Sequence, residues 1–270
     1  MASSEEEDSE RTETDTEEEE EEEKKTQKPK KATKALVNKW TPFAIHASEV
    51  DLFANGPPDV KWMQAVTDVR GCCSVDTIAL AFGLDRTPET WKTLRDDVAS
   101  FNHAGISDQT RKLFPNEHLE TDDVAYLSLS RFDTVPIILH SVEARKQQSG
   151  LRFAISSLFY SEMDRIERET KKDNIPVRYI VVKYILFGSQ AKQANVFTQQ
   201  GVGHFVALGT KTTSQADKNI TTLFTEDHLP EGMLDAFYKT LNDQRDFYTL
   251  PLAQRRKNAK KSTQEPIVIE

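Results

Sequence analysis

The stretch "GCCSVDTIALAFG", Gly71 to Gly83, holds both cysteines of a 270-residue chain. Val75, Ile78, Ala79 and Phe82 recur at helical spacing and Gly83 is a stop signal, so a helix is predicted over 73–83. Gly71 lets the backbone turn sharply into that helix, which puts Cys72 and Cys73 on its first turn. A thiol in that place has two readings. It is a small apolar residue at the mouth of a buried helix, or it is a nucleophile. In the second case the free N–H groups and dipole of the helix start favour its thiolate.

Working outward, the segment 37–66 mixes aromatics with a turn at Gly56-Pro57-Pro58 and reads as short elements packing the front of the domain. A second helix is expected after Thr87, with Thr87 as its cap, Pro88 in its first turn, and Trp91, Leu94 and Val98 on one face. Residues 121–132 read as a third helix, 135–140 as a short strand, and 151–173 as a helix with a charged end. "VRYIVVKYILFG" (177–188) is the strongest strand signal. "NVFT" and "GHFVALG" (203–209) follow as strands, and "ITTLF" (220–224) after the polar run 210–219 completes an expected hairpin. The segment 231–248 reads as a closing amphipathic helix with Met233, Phe237, Leu241 and Phe247 inward. Helices come first and strands later, which predicts an α+β fold with an antiparallel sheet.

The ends differ from the body. Residues 1–23 carry 14 acids and one Arg, and residues 24–34 carry six Lys and no acid. Such blocks cannot bury enough apolar surface to offset chain entropy, so 1–37 is expected to be a disordered acidic, then Lys-rich, tail. The domain is placed at 38–250, and 251–270 is a basic flexible tail. No 18-residue apolar run is present, so no membrane span is expected. No apolar leader segment is visible at the N-terminus. Adjacent cysteines cannot staple a fold, and ligands for a structural zinc are lacking. The chain is therefore read as a reduced intracellular protein, cytoplasmic or nuclear. No metal or cofactor is called for.

A reactive thiol needs a base, and His204 in "GVGHFVALG" is the candidate. Glycines precede it and an apolar strand follows, a setting that suits a side chain facing a cleft. His46 and His140 lie in apolar surroundings, and His103, His118 and His228 in polar loops.

These two pieces together resemble the papain-like cysteine protease superfamily. Within it the pattern is most similar to the ovarian-tumour (OTU) type of deubiquitinase, including viral papain-like proteases. In that type a Gly-x-Cys turn opens a helix with apolar residues two and five positions on, and the His stands on a strand as Gly-His-aromatic. Cys73 fits with Val75 and Ile78; Cys72 would put Ser74 and Thr77 there. The resemblance implies an OTU-like fold, with the Cys helix packed on the sheet that carries His204. It implies Cys73 as nucleophile, His204 as base, and an Asn that orients the imidazole, for which Asn219 is the candidate. Asp217 and Asp68 are alternatives. The chain departs from the pattern at Arg70 (an Asp in the OTU type), at Val206 (often polar), and at Thr67 (an oxyanion Gln in papain-like enzymes).

The activity so implied is hydrolysis of a peptide or isopeptide bond in ubiquitin, a ubiquitin-like protein or a polyprotein substrate. Two alternatives stay open: an inactive papain-like scaffold, and a protein- or nucleic-acid-binding module using the basic runs 24–34 and 255–261. The acidic balance of the body, with no basic face interleaved with aromatics, weighs against nucleic acid.

Overall fold

A computed structural model describes residues 35–67, 72–100, 119–142, 151–186, 203–212 and 219–249. Both tails, apart from residues 35–37, lie outside these residues, as do Arg70, Gly71, Asp68, Asp217 and "NVFT". The described strands are β1 (Trp40–Pro42), β2 (Val60–Ala65), β3 (Val135–His140), β4 (Tyr179–Leu186) and β5 (Gly203–Thr212). The helices are α1 (Cys73–Ala81), α2 (Pro88–Ser100), α3 (Thr121–Tyr126), α4 (Leu158–Asp173) and α5 (Glu231–Thr249). A 3-10 turn spans Ala47–Phe53, and a wider π turn, Leu127–Arg131, continues α3.

The strands form one mixed sheet in the order β1-β2-β5-β4-β3. The fold class is α+β, as expected, but the sheet is not wholly antiparallel: β3 and β4 pair in parallel, from Val135↔Tyr179 to His140↔Tyr184. Between them in the chain comes α4, so 135–186 is a strand–helix–strand crossover. Parallel neighbours cannot be joined by a tight turn, and the intervening helix is the crossover they need. The expected helix at 151–173 starts later, at Leu158, because Phe153 is drawn into a bridge with Leu139. The expected strand at 220–224 forms only two isolated bridges, Thr221 to Thr210 and Phe224 to Tyr179.

Both faces of the sheet are buried, which explains the near-continuous apolar runs in β3 and β4; the one charge in β4, Lys183, is paired with the buried Glu49 carboxylate at 2.8 Å. On one face Ile137, Val181, Val206 and Leu208 pack with Phe159 and Met163 of α4 and Met233, Phe237 and Leu241 of α5. On the other, Ile138, Ile180, Val182, Phe205 and Ala207 pack with Val75 and Ile78 of α1, Leu94 of α2 and Val124 of α3. The period-two alternation along β5 therefore assigns Phe205 to the α1 side. Phe247 lies outside the side chains described.

Helix ends follow the local chemistry. Thr87 Oγ1 accepts the Thr90 N–H at 3.2 Å at the start of α2. After α1, Gly83 adopts φ +64°, the left-handed turn that glycine makes without a Cβ penalty. Among the described residues no helix is long and apolar enough to cross a membrane.

Candidate active site

β5 outruns β2. Their register closes at Gln64↔Leu208, and among the described residues the edge of β5 beyond it is met by side chains. At that edge the Phe205 carbonyl accepts two hydroxyls, Thr77 Oγ1 at 2.9 Å and Thr67 Oγ1 at 3.2 Å. A carbonyl has two lone pairs, so both bonds are satisfied. Thr77 lies one helical turn after Cys73 on the same face of α1. The Phe205 N–H is near enough to the Cys73 thiol to favour its thiolate form. Cys73 and Thr77 thus straddle Phe205, one near its amide and one on its carbonyl.

Cys73 is the first residue of α1 and is 4% exposed. Burial pushes its thiol pKa up. The N–H groups of Phe205, Ser74 and Cys73 itself favour the thiolate, without outweighing that burial. The resting sulfur is therefore a neutral thiol near pH 7, and a proton acceptor is required to make it a nucleophile. Cys72 precedes it as the N-cap, half-buried, its carbonyl accepting the Asp76 N–H at 2.8 Å.

His204 stands immediately before Phe205, so the Cys73 thiol lies near the amide that follows the histidine. Its ring is half-buried, and Nε2 lies 2.8 Å from Thr67 Oγ1. Across the sheet Tyr184 pairs with Phe205, ring centroids 4.9 Å apart. Burial pushes the Tyr184 phenol up, and the nearby Cys73 adds to the effect. Gly203 lies directly against the end of the Tyr184 ring, where a Cβ would collide with it.

A buried ion pair braces this corner. The Arg86 guanidinium donates to both carboxylate oxygens of Asp76, at 2.8 and 2.6 Å, and to the carbonyls of Val37 and Val66 at 3.0 and 3.3 Å. Asp76 is on α1, three residues after Cys73. Val66 directly precedes Thr67. One side chain therefore ties the cysteine helix to the residue that contacts His204.

Asn219 is not brought to His204. Thr221 pairs with Thr210, which sets Asn219 alongside the C-terminal end of β5. His204 is near the other end, eight residues or about 26 Å away. Asn219 is also exposed. Thr67 occupies the place beside the imidazole instead. Sequence reading noted Thr67 only as a departure from a family pattern, and missed Thr77, Asp76 and Arg86. The signal available was an acid in the apolar run "CSVDTIALA", which demands a buried cationic partner. Among the described residues, no group of three or more His, Cys, Asp or Glu side chains is arranged to hold a metal ion.

No protein-family model matches the chain, and no curated protein or solved structure matches it.

Proposed function

We propose that this chain is a cysteine hydrolase of peptide or isopeptide bonds, with Cys73 as nucleophile and His204 as general base. The observation that carries the reading is the seat of the Cys73 sulfur: at the start of α1, near the Phe205 N–H, which is next in the chain to the imidazole. In the first step His204 takes the thiol proton and the sulfur attacks the substrate carbonyl. The N–H groups at the helix start stabilise the resulting oxyanion. The C–N bond then breaks, the leaving amine takes the proton from His204, and a thioester remains. Water, deprotonated by His204, cleaves the thioester and returns the thiol. The resemblance to the OTU type makes ubiquitin, a ubiquitin-like protein or a polyprotein site the substrate class. It also implies a papain-like arrangement of the α+β fold.

A second reading, an inactive scaffold of the same type, is favoured by the burial of Cys73, which keeps the sulfur protonated and covered. The two separate on labelling by C-terminally electrophilic ubiquitin and ubiquitin-like probes. Labelling that survives Cys72→Ala and is lost in Cys73→Ala and His204→Ala supports the hydrolase. Absence of labelling with every probe, on a folded protein, supports the scaffold.

A further inference from the structure

We propose that Thr67 is the positioning residue for His204, and that it holds the imidazole in the tautomer protonated at Nε2. The inference builds on reading His204 as the base, but its test does not need activity. Thr67 Oγ1 touches two groups, the Phe205 carbonyl at 3.2 Å and His204 Nε2 at 2.8 Å. The hydroxyl has one proton. The carbonyl can only accept, so a bond to it consumes that proton. Both contacts are hydrogen bonds only if Nε2–H donates to the threonine oxygen. The partner of one ring nitrogen sets the state of the other, so Nδ1 keeps its lone pair and, on the reading of His204 as the base, is the atom that would take the thiol proton. The imidazolium also carries Nε2–H, so the Thr67 contact is kept through the proton-transfer cycle.

The surroundings hold the hydroxyl in this role. Thr67 is buried, its backbone is anchored through Val66 by Arg86, and Arg86 is itself locked to Asp76 on α1. Thr77 supplies a second donor to the Phe205 carbonyl, so that carbonyl keeps a bond when the Thr67 hydroxyl is removed. Thr67→Val therefore deletes the contact to His204 with little change in shape, and Thr67→Ser restores it.

The experiment is ¹⁵N spectroscopy of the full chain labelled at histidine, above the imidazole titration range, with the His204 signals identified by their loss in His204→Asn. The expected wild-type spectrum shows a protonated Nε2 and a pyridine-type Nδ1. Thr67→Val should shift this toward a tautomer mixture, and Thr67→Ser should retain it. The alkylation rate of Cys73 should fall in Thr67→Val by less than the roughly 10²–10⁴-fold that loss of a general base costs, and recover in Thr67→Ser. A wild-type His204 protonated at Nδ1, or a tautomer unchanged by Thr67→Val, overturns the proposal. The expected tautomer with a Cys73 that is unaffected by His204→Ala upholds the Thr67 contact and instead refutes the catalytic pairing.

Discussion

Arg86 and Asp76 form a two-pronged ion pair almost wholly out of solvent, with side chains 3% and 0% exposed. A buried pair of this kind is costly to break one-sidedly, because the remaining charge has lost its partner. Arg86→Leu is expected to cost roughly 3–5 kcal/mol, and Asp76→Leu a comparable amount. The double substitution should cost less than the sum. Denaturant unfolding of the four proteins reads the coupling. Additive losses would mean that the two charges do not depend on each other. Because Arg86 also holds the Val66 carbonyl, any folded Arg86 variant should react more slowly at Cys73.

Gly203 is where a side chain has no room. A Cβ there strikes the end of the Tyr184 ring, and Tyr184 packs on Phe205, whose N–H favours the Cys73 thiolate. Gly203→Ala should destabilise the fold by about 1–3 kcal/mol, the usual cost of overpacking. Adding Tyr184→Ala, which clears the space, should make the alanine at 203 nearly neutral by comparison with Tyr184→Ala alone. Thermal unfolding of the three variants decides the matter. An equal cost of Gly203→Ala in both backgrounds would place the strain elsewhere.

Three phenols should respond late to alkali. Tyr179 donates to Glu226 at 3.0 Å and lies 2.7 Å from the Tyr238 hydroxyl. Burial pushes Tyr179, Tyr238 and Tyr184 up from the ordinary phenol range. A folded pKa above the unfolded one means stability that is whole below about pH 10 and lost as pH rises through the folded values. Ultraviolet titration of the six tyrosines should show three ionising only as the circular dichroism collapses. Reversible ionisation of all six in the folded state would contradict this.

The legible parts of the fold were those with a local chemical signal. Gly83, Thr87 and Pro88 punctuate α1 and α2, and the apolar spacing of Val75, Ile78 and Ala79 marks α1, which is buried all round. Strand direction has no such signal: "VPIILH" and "VRYIVVKYIL" read alike whether paired parallel or antiparallel, so the crossover through α4 was missed. At the site, Cys73 and His204 stood out by their glycine settings. Asn219 lies away from His204 for a geometric reason. The first residues after a turn return beside the end of the strand just left, so a residue before Thr221 lies near Thr212 and far from His204. Thr67 could not be found locally, since 137 positions separate it from His204 and only the β2–β5 register brings them together.

The most direct test of the pairing of Cys73 with His204 is the pH profile of Cys73 alkylation by iodoacetamide, in a Cys72→Ala background with and without His204→Ala. With His204 present, the rate should rise at a lower pH than in its absence. Without it, the rate should stay low until well above the ordinary thiol value of about 8.5, because burial pushes the Cys73 thiol up. Superimposable profiles from the two proteins would contradict the pairing.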